Sequence, residues 1–138
     1  MRRTYGVVVA SLAAAFGVGL YVGTSDIVSA KSKRVWEIRT YTTAEGKLDS
    51  LVKRMGDHEK KMFEQHGMKT ELFSVVSDPP LSQNTFIYIL SHASREAAKT
   101  SWDSLRNDPA FKTLIANSGR PTIKSDVVFV TPTDYSPQ

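Results

Sequence analysis

Val35-Trp36-Glu37-Ile38-Arg39-Thr40-Tyr41-Thr42 is rich in β-branched and aromatic residues and spaces its charges two apart, as a strand does. Alternation sorts it into two faces. Trp36, Ile38 and Thr40 share one side, while Val35, Glu37, Arg39 and Tyr41 share the other, so that an acid, a base and a hydroxyl project together. From Gly46 the period changes. Leu48, Leu51, Val52, Met55, Met62 and Phe63 recur at threes and fours, which predicts one amphipathic helix ending at His66-Gly67 with Gly67 as a left-handed cap. The same spacing puts His58, Glu59 and His66 on or beside the buried side. Lys53, Asp57, Lys60, Lys61 and Glu64 mark the wet side, with Asp49/Lys53, Asp57/Lys61 and Lys60/Glu64 set four apart for ion pairing.

Beyond Gly67, residues 70–76 alternate as a strand, Asp78-Pro79-Pro80 opens a loop to about Asn84, and residues 85–91 form the next strand, most simply as an antiparallel hairpin. Ser94 caps a second helix whose inner side is Ala97, Ala98, Trp102 and Leu105. Asn107-Asp108-Pro109 interrupts and restarts it, with Asp108 as cap and Pro109 at the first helical position, so that Phe111, Leu114 and Ile115 continue inward. Residues 124–131 are the last strand. The order is βαββαβ, an α+β chain whose simplest packing is a ferredoxin-like sandwich, an antiparallel four-stranded sheet with two helices on one face.

Those strands are apolar on both sides: Phe86, Tyr88 and Leu90 against Ile87 and Ile89, and Val127 and Phe129 against Val128 and Val130. Helices on one face leave the other to be covered, and a second copy packed sheet to sheet is the economical cover. A homodimer is expected, closed through Val128 or Phe129 according to which face the helices take.

Upstream, Met1-Arg2-Arg3 is followed by residues 4–25 without a charged side chain and by the small residues Val28-Ser29-Ala30, the layout of an export signal cleaved after residue 30. The alternative is a retained anchor, the protein's one expected tie to a membrane. The chain then divides into a leader over 1–30, a domain over 31–131 and a polar tail over 132–138. Just over a hundred of the 138 residues remain after the leader, enough for one domain. The expected location is the periplasm or cell envelope.

Of the net charge of +4, the leader's two arginines and one aspartate contribute +1. Basic and acidic residues are interspersed and no basic patch is interleaved with aromatics, which argues against a nucleic-acid partner. No cysteine is present, so disulfides and thiolate metal sites are excluded. No nucleophile elbow, phosphate loop, dinucleotide fingerprint or metal-ligand cluster occurs, and neither a cofactor nor a metal is expected. His58-Glu59 starts like a zinc-protease helix, but position 62 is Met rather than His.

Trp36-Glu37-Ile38-Arg39-Thr40-Tyr41-Thr42 with Glu45-Gly46-Lys47, then His66-Gly67, Asn84, Asn107-Asp108-Pro109-Ala110-Phe111 and the closing Asp134-Tyr135-Ser136-Pro137 resemble the NIPSNAP family over the whole mature chain. The resemblance implies a dimeric α/β barrel in which two ferredoxin-like sheets face each other. It implies little about chemistry, since fold relatives include oxygenases and proteins of unknown role. Pro79-Pro80 stands in place of a glycine-containing hairpin loop, and His92 stands where the family more often has an aromatic residue.

No residue can be named as catalytic from the sequence. The candidate ligand-binding residues are Glu37, Arg39, Tyr41, His66 and Trp102. Arg39 offers a bidentate donor and Tyr41 a hydroxyl to a polar ligand group, against the plainer reading of Glu37 and Arg39 as an ion pair inside the sheet or at the dimer seam. His66 suits a general base or haem ligand, or more plainly a helix C-terminal cap. Trp102 suits the core, with ligand contact as the alternative. The expectation is an exported dimeric protein that binds a small molecule or protein partner, with a cofactor-independent monooxygenase or haem-handling enzyme as the alternative.

Overall fold

The computed structural model describes residues 34–136; the leader and its cleavage site lie outside them. The elements run β1 (Val35–Thr43), α1 (Leu48–Arg54), a π-helical turn (Met55–Glu59), α2 (Lys60–Gln65), β2 (Lys69–Val75), a 3-10 turn (Leu81–Gln83), β3 (Thr85–His92), α3 (Arg95–Asn107), α4 (Pro109–Asn117) and β4 (Thr122–Val130). The four strands form one antiparallel sheet in the order β2-β3-β1-β4, which is the ferredoxin-like arrangement.

Residues paired across an antiparallel ladder share a face, so the register decides which side each belongs to. Glu37, Arg39 and Tyr41 lie opposite Leu90, Tyr88 and Phe86 on β3, on the helix side, where Glu37 and the three β3 residues are buried and Arg39 and Tyr41 are half-buried. Trp36 and Ile38 lie opposite Val130 and Val128 on β4 and share the other face with Ile87 and Ile89. On that second face Leu72, Val128 and Val130 are 47%, 56% and 36% exposed. Phe129 therefore belongs to the helix side and Val128 to the open side.

The core lies between sheet and helices, with Leu51, Phe63, Tyr88, Leu90 and Leu105 wholly buried. Each such side chain contributes about 1.5–3 kcal/mol of transfer free energy. The caps form where sequence puts them: Ser94 Oγ accepts from the Ala97 N–H at 3.0 Å, and Asp108 Oδ1 accepts from Ala110 at 2.7 Å. Gly67 takes φ of +78°, the left-handed turn that stops α2. Phe111, Leu114 and Ile115 are only half-buried on α4.

The first helix departs from the expected continuous one. At Met55–Glu59 the bond runs from the Lys60 N–H to the Met55 carbonyl, five residues back, so the turn holds one residue more than an α-helix allows. Spacing by three from Met55 then fails, while spacing by four holds. Glu59 is carried to the buried side at 3% exposure, whereas His58, expected on or beside that side, is exposed. Lys53 likewise pairs forward with Asp57 at 2.5 Å rather than back with Asp49.

Two ladder irregularities accompany these elements. The β2–β3 register shifts between Thr70 and Leu72, and the β1–β4 register between Thr42 and Thr43.

Candidate functional site

Because β1 is central, its helix-facing side chains point into the middle of the domain, where a carboxylate needs several donors to remain charged. Glu37 has them. One oxygen accepts from Arg39 Nε at 2.6 Å; the other accepts from His92 Nε2 and from Trp102 Nε1, each at 2.8 Å. The side chain is wholly buried. Burial alone would raise its pKa, but the hydrogen bonds from His92, Trp102 and Arg39, with the Arg39 charge, prevail and hold it below the usual carboxylate range.

Glu37 organises what surrounds it. A carboxylate only accepts, so the proton of His92 sits on Nε2, and its Nδ1 is buried with no partner among the described residues. The Arg39 guanidinium lies 3.8 Å from the centre of the Trp102 ring, a cation–π contact on top of its Nε bond. Burial pulls the Arg39 pKa down, yet Tyr88, Tyr41 and Glu37 push it up more, so it stays charged. Its side chain keeps 16% exposure, and its two Nη groups have no hydrogen-bond partner among the described residues and are not among the buried unpartnered atoms. Tyr88 donates its hydroxyl proton to Tyr41 at 2.7 Å, which leaves the Tyr41 proton available to another acceptor. Arg39 and Tyr41 thus offer donors from one side of the sheet.

Glu37, Arg39, Tyr41 and Trp102 are brought together, on the helix side of the sheet rather than at the open face. His66 is not. Its Nε2 donates to Asp108 Oδ2 and its Nδ1 accepts from the Ser104 hydroxyl, both at 2.8 Å, so the ring ties the end of α2 to the α3–α4 junction. A second buried acid, Glu59, lies 2.5 Å from Arg54 Nε and acts electrostatically on Tyr88, the partner of Tyr41. Burial raises its pKa, against the lowering effect of Arg54.

His92 is the member that sequence reasoning left out of the candidate set. Its signal was its place as a departure from the family pattern at the end of a strand. Its partnership with Glu37 depends on a register 55 residues apart in the chain.

Two clefts lie beyond this cluster, and none of its members lines either. One of about 410 Å³ is lined by Trp36, Val130, Thr131, Pro132, Thr133 and Ser136, at the open-face end of β1 and β4. The other, of about 250 Å³, lies between the π-helical turn and the β2–β3 side of the sheet.

The family model for NIPSNAP matches residues 36–137. The chain belongs to the NIPSNAP family. No curated protein matches the sequence. Among solved structures, this NIPSNAP chain is similar to an uncharacterized NIPSNAP-like domain protein from Burkholderia xenovorans, with TM-score 0.70 and 12% identity over 78% of this chain and 91% of that one. It is similar to a NIPSNAP family protein of unknown function from Agrobacterium tumefaciens, with TM-score 0.69 and 18% identity over 77% and 94% of the two chains. A more distant likeness is SnoaB, a cofactor-independent oxygenase from Streptomyces nogalater, with TM-score 0.52 and 12% identity over 77% and 99%. At these identities the likeness concerns the fold.

Proposed function

We propose that this NIPSNAP protein is an exported homodimer of the cell envelope that binds a small molecule between its sheet and helices. The observation that carries the binding reading is the Arg39 guanidinium, fixed through Nε by buried Glu37 and backed by Trp102, with its Nη groups left over. A buried ion pair is poor value as a stabiliser compared with apolar packing, so one that presents unused donors is better suited to recognition. Pairing of copies is supported by the exposed Leu72, Val128 and Val130 on the open face, and export by the uncharged run after Arg2-Arg3.

Native mass spectrometry of the protein purified from its own host tests this reading. The expected result is a mass of two copies lacking residues 1–30, with a retained small molecule that Arg39→Gln loses. A ligand-free monomer would sink it.

A second reading, a cofactor-independent oxygenase, is favoured by His92, whose Nε2 is held by Glu37 while Nδ1 stands unpartnered, the build of a base that takes a proton from substrate. A haem-handling role through His66 has less support, because iron coordination at either ring nitrogen would break an existing hydrogen bond. Oxygen uptake that depends on His92 would favour the enzyme over the binder.

A further inference from the structure

Arg39 and Tyr41 suit the polar end of a ligand, and the next feature along the same face suits the rest of it. Tyr41 lies directly across from Phe86 in the β1–β3 ladder, and Phe86 is one wall of the 250 Å³ cleft. Its other walls include Val52, Met55, Gly56, Phe73 and Val75. Ser74 also borders it, with its hydroxyl already donated to the Ile87 carbonyl at 3.0 Å. The cleft is therefore apolar, and its volume falls below the roughly 300 Å³ at which pockets for drug-sized ligands begin. Val52 and Val75 are 37% and 39% exposed, which leaves a way in past the sheet edge.

The π-helical turn borders this space through Met55 and Gly56. Gly56 stands exposed within the turn, and a Cβ built on it would meet no heavy atom within 4 Å. Arg39 to Tyr41 is about 7 Å along the strand and Tyr41 to Phe86 about 5 Å across it, within the reach of a short hydrocarbon chain.

We infer that the ligand is a small amphipathic carboxylate, its acid group on the Arg39 guanidinium and the Tyr41 hydroxyl and its hydrocarbon body in the cleft walled by Val52, Gly56 and Phe86. This rests on the small-molecule reading above. A planar carboxylate matches the spare Nη pair. A monoanion suits the site better than a phosphate dianion, because Glu37 already balances Arg39 and repels further negative charge. The apolar walls offer nothing to a second polar group.

Calorimetric titration of the purified protein with straight-chain carboxylates from butanoate to decanoate, and with the matching alcohols, tests the inference. Affinity should rise about fourfold per methylene until the cleft is filled. Octanoate should bind at least about tenfold more tightly than octanol, a difference that Arg39→Gln erases. Gly56→Leu fills the cleft at an exposed position where leucine favours the helix more than glycine does, so the variant should fold. It should weaken octanoate about tenfold or more and leave butanoate within about twofold. Equal binding of octanoate and octanol by the wild type overturns the acid head, and octanoate unaffected by Gly56→Leu overturns the placement of the body. If no acid binds, the inference fails. A different small molecule retained in the native mass spectrum would then leave the binding reading standing, and an empty spectrum would remove both.

Discussion

Strand β1 carries Glu37, Arg39 and Tyr41 on the side covered by helices, whereas its open side carries Trp36 and Ile38 and continues into exposed Val128 and Val130. In a sheet with one wet side the polarities would be the other way round. The two faces carry different costs. The inner face bears the cost of charge burial, and the outer face leaves apolar area in water.

The largest way to break this contrast is at Glu37. Glu37→Ala leaves the Arg39 charge and two buried N–H donors without their acceptor, and should cost about 3–5 kcal/mol in urea unfolding. Acid probes the same group. Its folded pKa lies below the unfolded value, so its contribution is complete above the ordinary carboxylate range and is lost as pH falls through the folded pKa. Glu59 runs the opposite way: with its folded pKa raised by burial, the folded state binds its proton more tightly, and acidification relieves a penalty. Relative to wild type, Glu37→Ala should therefore lose its deficit in acid, whereas Glu59→Gln should fare worse there than at neutral pH.

On the outer face, Val128→Asp should weaken association by about 3 kcal/mol, on the order of a hundredfold, while leaving the monomer folded. Light scattering after size exclusion reads this directly; a dimer that survives the charge would mean that the copies meet elsewhere. The smallest effect belongs outside both faces. His66→Ala removes the bonds to Ser104 and Asp108 and should cost about 1–2 kcal/mol of stability with ligand retention unchanged.

Element types were legible because alternation, helical spacing and caps are local. Ser94, Asp108-Pro109 and Gly67 stop or start helices through groups within three residues of themselves. The shared side of Glu37, Arg39 and Tyr41 was legible for the same reason. Three things were not. Which face the helices take depends on chain packing, so Val128 and Phe129 could not be told apart beforehand. The π-helical turn adds a residue that no count by threes and fours contains, and so His58, expected beside the buried side, is exposed, while Glu59 lies buried where the count by four put it. The fates of His66 and His92 hang on partners 38 to 55 residues away, at distances set only once sheet and helices have met.

A sheet with a sticky face also has two rims, and a strand added to either would begin a fibre rather than close a pair. On β2 the shift between Thr70 and Leu72 interrupts the regular row of backbone groups, and Glu71 there accepts from Ser91 Oγ at 2.5 Å and lies 3.0 Å from Lys69 Nζ. On β4 the register against β1 shifts between Thr42 and Thr43, which breaks the row there as well. A newcomer would have to match a broken ladder and, on β2, strip water from the Lys69–Glu71 pair. Growth along the rims is discouraged, so any pairing of copies through the open face would stay finite.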